Sequence, residues 1–289
     1  MIQGAFRIGA GYFHGMLKMK TVVIPFVASI FLATTLTPCM SVRAQQFRIE
    51  SQVVVNNSKL PTTENLTLFD NAFVYDFSFV PDGSQTPLEV IVYDIARQKF
   101  VLLDINREMR LEVEQFEVVQ MLEQLRQRLG DDEKTAWLAN PNFVEEVDLD
   151  AATVTLTSDN VRYVAKCEKP RNAAMQAALY EFMDQFTMLR ATEPRSMPPF
   201  ARMQLNQAFR KYGLSPTEID LTMESRGLAN KNLKAKSSHS MISQLSTTDR
   251  ERIEQAKKQW IQFKQVDLPT YRELKAVAEA GEAETKSRR

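Results

Sequence analysis

Cysteine, histidine and glycine are scarce in this chain, and each shortage removes a class of function. Its two cysteines, Cys39 and Cys167, cannot make a disulfide framework. Beyond residue 44 the only histidine is His239, and one histidine with one cysteine cannot supply the usual zinc ligand set. Five glycines remain beyond that point, at 83, 130, 213, 227 and 281. No two are close enough for a phosphate-cradling loop or a dinucleotide fingerprint, so no nucleotide cofactor is expected. Excess positive charge is missing too, with 36 Lys and Arg against 36 Asp and Glu. A nucleic-acid partner would want a basic surface, and none is expected.

Acidic residues are absent from the first 44 positions. There Lys18 and Lys20 precede the apolar run VVIPFVASIFLA, and a polar stretch ends in Val42-Arg43-Ala44. These are the parts of a secretory signal peptide over 1–44, cleaved after Ala44. The run is short and broken by Pro25 and Ser29, so no stable membrane span is expected after cleavage. The preamble before Lys18 points to translation from Met16 or Met19 in place of Met1. The expected destination is the periplasm or the extracellular space. The processed chain carries 32 basic and 36 acidic residues, a formal charge of −4, and Cys167 stands alone in it. Its 245 residues can bury a core without staples.

Alternation of apolar and polar residues then predicts strand after strand. Phe47, Ile49, Val53 and Val55 alternate with polar partners. NLTLF and AFVYDFSFV follow, separated by the turn pair Asp70-Asn71. PLEVIVYDI, FVLLDI and RLEVE are joined by the short turns ARQK and NREM, so the whole reads as an antiparallel meander. In the central strands both faces are apolar: Val90 and Val92 against Ile91 and Tyr93, then Phe100 and Leu102 against Val101 and Leu103. Such strands need a cover on each side. NFVEEVDL, TVTLT and VRYVAKC form a second strand group, and SPTEIDLTMES with LKAKSSHSMI makes a late hairpin.

Helical periodicity supplies covers. QFEVVQMLEQLRQRLG puts Val118, Leu122, Leu125 and Leu129 on one stripe. RNAAMQAALYEFMDQFTMLR does the same with Met175, Leu179, Phe182, Phe186 and Leu189, and ARMQLNQAFRKYG reads as a third helix ending at Gly213. Ser246 with Asp249 predicts a capping box opening a helix whose stripe is Ile253, Ala256, Trp260 and Phe263. The expected architecture is α+β: a large curved antiparallel sheet packed with several amphipathic helices, half-barrel-like, over 45–265. A short helix and a disordered tail are expected over 266–289.

Few residues suggest chemistry. Asp76, Asp94 and Asp104 would make a carboxylate cluster for metal or acid–base work only if their strands converge. Asp94 and Asp104 each precede a polar turn, where a carboxylate accepts backbone N–H bonds, and Asp76 is expected to face solvent. His239 has no nucleophile elbow beside it and is expected to be structural. Cys167 shares an apolar strand face with Val161, Tyr163 and Ala165 and is expected to be a packed thiol. The aromatic ladder Phe73, Tyr75, Phe77 and Phe79 shares one face of its strand. It is core if helices cover it. If it lines a concave face, together with Tyr93 it forms a site for an acyl chain or an apolar peptide.

The segments VIVYDIARQKFVLLDI and YGLSPTEIDLTM, a compact hairpin and a late Pro-containing approach to a strand, resemble those of the LolA-like half-barrels. The resemblance extends from Phe47 to about Phe263. It implies a curved sheet wrapped on helices around an apolar cavity for lipid or lipoprotein acyl chains, and no functional residue is carried over. Expected function is therefore non-enzymatic binding of a lipid or hydrophobic segment. The alternatives are an envelope interaction domain with a protein partner, and a hydrolase using the strand-end aspartates.

Overall fold

A computed structural model describes residues 46–169, 172–193, 196–224 and 232–275. The expected signal peptide at 1–44, the turn RGLANK and the expected disordered tail beyond 275 lie outside the described residues. The chain order is β1 (Gln46–Val55), β2 (Thr63–Asp70), β3 (Phe73–Phe79), β4 (Glu89–Asp94), β5 (Lys99–Asp104), β6 (Met109–Glu114), α1 (Gln115–Gly130) and α2 (Ala136–Ala139). It continues with β7 (Val144–Asp148), β8 (Thr153–Thr157), β9 (Val161–Glu168), α3 (Ala173–Arg190), α4 (Phe200–Tyr212), β10 (Ser215–Met223), β11 (Leu233–Ile242), α5 (Thr247–Gln262) and β12 (Lys264–Val266). Residues 268–275 are helical and belong to the packed body: Tyr271 is buried and its hydroxyl donates to Glu89 at 3.0 Å.

The twelve strands of the described residues lie in one open sheet, ordered β12-β6-β5-β4-β3-β2-β1-β11-β10-β9-β8-β7. The class is α+β, as the alternation predicts. Two antiparallel meanders, β1–β6 and β7–β11, meet where β1 pairs with β11. Only β12 runs parallel to its neighbour, β6, a three-residue pairing too short to leave a periodic trace in the sequence.

Both faces of the central strands are covered by the chain itself. On one side Val90, Val92, Val101 and Leu103 pack with Leu66, Leu68, Tyr75 and Phe77 beneath Ile253 and Ala256 of α5. On the other side Ile91, Tyr93, Phe100 and Leu102 meet Val118 and Leu122 of α1 and Leu179, Met183 and Phe186 of α3. The capping box at Ser246 and Asp249 starts α5 as predicted, and Arg48 of β1 donates to both carboxylate oxygens of Asp249, at 3.1 and 3.0 Å. Burial pushes the Asp249 pKa up, yet the Ser246 bonds and Arg48 outweigh it and hold the carboxyl below its ordinary value. At the end of α4, Gly213 adopts φ 65°, the left-handed stop its position predicts.

The aspartates at the strand ends are turn residues. DIARQ at 94–98 and DINRE at 104–108 are one turn used twice. In each, the aspartate accepts the backbone N–H three residues on, Arg97 N to Asp94 and Arg107 N to Asp104, both at 3.0 Å. Each arginine also pairs with its aspartate, and Gln98 and Glu108 take φ of 52° and 50°. That left-handed position favours glycine. Gln98→Gly should therefore raise stability by about 1 kcal/mol, and Asp104→Ala should lower it by about 1–2 kcal/mol. Urea midpoints measure both, and a Gln98→Gly midpoint below wild type would contradict the assignment.

Candidate functional site

Along the β1–β11 seam the helices part from the sheet. The cavity between them holds about 480 Å³, within the range of about 300–1,000 Å³ common for small-molecule sites. Its floor is the sheet face that carries Ile49, Ser51 and Val53 of β1, Tyr163 of β9, Ile219 and Leu221 of β10, and Ala235, Ser237, His239 and Met241 of β11. Leu179, Phe182, Met183 and Phe186 of α3 form a wall, and Met197, Pro198 and Pro199 approach from the Pro-rich link to α4. The floor residues Ser51, Ala235 and Ser237 are small where the core elsewhere uses Val, Leu and Phe. Small side chains on a face that no helix presses leave volume unfilled.

Neither the aromatic ladder nor Tyr93 lines this cavity. Tyr75 and Phe77 are buried under α5, with Phe73 and Phe79 packed at the margins of the same cluster. Phe73 meets Trp260 edge-on at 6.3 Å. Tyr93 lies on the opposite face, stacked on Phe100 at 4.7 Å and donating to Glu181 at 3.3 Å. The period of two correctly places the ladder on one face. It cannot say that α5, some 170 residues later, would take that face for itself.

Asp76 departs from its expected place. It is on the face opposite the ladder, but that face is inside the protein, and Asp76 is buried at the cavity's end. Thr67 Oγ1 donates to it at 2.8 Å and Asn65 Nδ2 at 2.9 Å, and Arg190 lies 3.6 Å away. Burial raises its pKa, with Arg190 and the two donors opposing. Arg190, at the last turn of α3, also meets Glu89 and Glu193, each at 2.7 Å, and Lys275 adds a second cation to Glu89 at 3.1 Å. Burial alone would raise Glu89, but these cations hold its pKa below the usual value. The network fixes the end of α3 to β3 and β4. Asp76, Asp94 and Asp104 do not converge: two hold turns and one holds a helix.

His239 sits between two serines. Its Nδ1 is 2.8 Å from Ser51 Oγ and its Nε2 is 3.0 Å from Ser237 Oγ, so a neutral ring donates at one nitrogen and accepts at the other. Both nitrogens are engaged by hydroxyls, which leaves neither for the carboxylate that orients the base in a catalytic triad. Cys167 packs against the core, and burial pushes its thiol pKa up to about 12, far from a nucleophilic thiolate. Among the described residues no group of three His, Cys, Asp or Glu side chains is placed to hold a metal ion. Among them, too, no helix is long and apolar enough to cross a membrane.

Burial, helped by the positive charge of Arg202, lowers the His239 pKa to about 4. The unfolded imidazole titrates near 6.5, so between those two values the unfolded chain binds a proton that the folded chain refuses. Stability should therefore fall as pH drops from about 6.5 to 4, by roughly 3 kcal/mol from this residue, and level off below. His239→Gln should flatten that part of the curve in denaturant titrations at stepped pH. An unchanged slope would show that His239 is protonated as readily in the folded protein as in the unfolded one.

No family model matches this sequence, and no curated protein does. Among solved structures the chain is similar to the crystal structure of a LolA superfamily protein from Nitrosomonas europaea. The match has 10% sequence identity, spans 71% of this chain and 88% of that one, and superposes with a TM-score of 0.28. A superposition that loose leaves the cavity's own chemistry to speak for the site.

Proposed function

We propose that the protein is an exported, non-enzymatic binding protein that takes a lipid, acyl chain or other hydrophobic ligand into the cavity over the β1–β11 seam. The observation that carries this is the unfilled apolar volume of about 480 Å³, set between Ile49, Ile219 and Leu221 on the sheet and Leu179, Phe182 and Met183 on α3. Polar groups stand among those apolar ones, hydroxyls of the floor together with Asp76, Glu168, Arg190, Arg202 and His239, which could orient a ligand. Export to the periplasm or beyond rests on the basic, apolar and V-x-A pattern of residues 18–44. The ligand site moves with this reading from the aromatic ladder to the seam. The aspartates that a hydrolase would use are already engaged in turns and in the Arg190 network.

Ala235 offers the most direct test, because it lines the cavity from near the start of β11 and has little to lose. The neutral apolar fluorophore N-phenyl-1-naphthylamine should bind the purified protein with enhanced, saturable emission. Ala235→Phe should weaken that binding about tenfold or more, since the ring occupies the ligand's space. Native mass spectrometry of protein purified without detergent should also show a co-purifying ligand of lipid mass. A ligand-free stoichiometric dimer, with dye binding equal in both proteins, would favour an interaction domain instead.

A further inference from the structure

The cavity contains two arginines in opposite circumstances. Arg190 is met by Glu89, Glu193 and Asp76 at 2.7, 2.7 and 3.6 Å, so its charge is fully answered within the protein. Arg202, in the first turn of α4, lines the same cavity. Among the described residues its guanidinium makes one hydrogen bond, from Nε to Asn206 Oδ1 at 3.0 Å, and no ion pair. The acid that influences it, Asp184, is already taken by Arg210 at 2.6 Å and by the Asn206 amide at 3.1 Å. Burial consequently lowers the Arg202 pKa, with Tyr163 and Asp184 offering only partial relief. The field of this unanswered cation reaches His239 and depresses it as well. Tyr163 lines the cavity too, and its hydroxyl finds no hydrogen-bond partner among the described residues.

Arg202 is half-buried, its unbonded guanidinium nitrogens open to the cavity, and forked N–H donors match the oxygens of carboxylates and phosphates. We propose that Arg202 receives an anionic headgroup, a carboxylate or a phosphate, so that the ligand is a single-tailed anionic amphiphile lying along Ile49, Leu179, Phe182, Met183, Ile219 and Leu221. Tyr163 is placed to donate a second hydrogen bond to that head. A volume of about 480 Å³, in the lower half of the usual range for ligand sites, suits one alkyl chain and not two. This inference rests on the cavity being a hydrophobic-ligand site and adds the head that the site selects.

Three ligands with one tail and different heads separate the possibilities: decanoate, decyl phosphate and decanol, titrated calorimetrically into the purified protein. At least one anion should bind wild type about ten- to a hundredfold more tightly than decanol, the worth of a hydrogen-bonded charge. Which anion is preferred distinguishes a carboxylate source from a phosphate source. Arg202→Met should remove that advantage and leave decanol binding within about twofold, while Arg202→Lys should keep part of it. Decanol binding as tightly as both anions, or an equal loss of all three ligands in Arg202→Met, would overturn the headgroup assignment and leave the cavity reading standing. If none of the three binds wild type, both readings fail. Should Arg202→Met not fold, the wild-type ratio of anion to alcohol decides.

Discussion

The pairing of β1 with β11 is the constraint on which the rest of the molecule depends. Eight consecutive partners, from Arg48 with Ile242 to Val55 with Ala235, join the first described strand to one nearly 190 positions later. Without that seam the two meanders would be separate sheets with two exposed edges each, an arrangement prone to mispairing. With it, Ser51 stands directly opposite His239, and Val53 opposite Ser237. The cavity floor is thus a product of sheet closure, since neither meander contains it alone. Contacts of such sequence separation are slow to form, so the site should be among the last parts of the molecule to be completed in folding.

Two electrostatic solutions stand side by side at the edge of this cavity. Arg190 is surrounded by Glu89, Glu193, Asp76 and the Ser78 hydroxyl, and it ties α3 to the sheet. Every member of that network has a partner, so the desolvation of its charges is offset by short ion pairs and hydrogen bonds. Arg202 lacks such an answer, although it lies only twelve residues further along the chain and borders the same space. A network that anchors a helix must be satisfied in the empty protein, whereas a group that meets a ligand must not be. On the proposed headgroup role, the difference between the two arginines is a difference of purpose.

Local chemistry was legible in the sequence, and long-range assignment was not. The turns after Asp94 and Asp104 declared themselves through position, the capping box at Ser246 through spacing, and Gly213 through its place at a helix end. Apolar residues on both faces of β4 and β5 correctly demanded two covers. Which helix provides each cover depends on tertiary packing, and so the ladder from Phe73 to Phe79 could be read as a cavity when it lies under α5. Asp76 misleads for the same reason: alternation sends it away from the ladder, and nothing local reveals Arg190 waiting 114 positions later. One usable signal was present. The inward face of β11 reads Leu233, Ala235, Ser237, His239, Met241, far too small in its middle for a face that elsewhere carries Phe and Ile.

That undersized face bears on why a hollow persists at all. Replacing Ser51, Ala235 or Ser237 by a branched apolar residue would bring more carbon into contact with Leu179 and Met183, and filling internal volume is among the simplest routes to added stability. Replacing Arg202 by an apolar residue would remove an unanswered cation as well. Both changes lie within single substitutions of ordinary packing, and the sequence makes neither. The remaining way to recover that free energy is a guest, because anything that binds only the folded state stabilises it in proportion to the logarithm of its concentration over Kd. On the proposed function, a hollow with apolar stretches and an unpaired Arg202 at one part of its wall would recover most from a molecule that is apolar along its length and negative at one end. Under the proposed function, stability and recognition would ask for the same kind of ligand, and the same cavity residues would serve both.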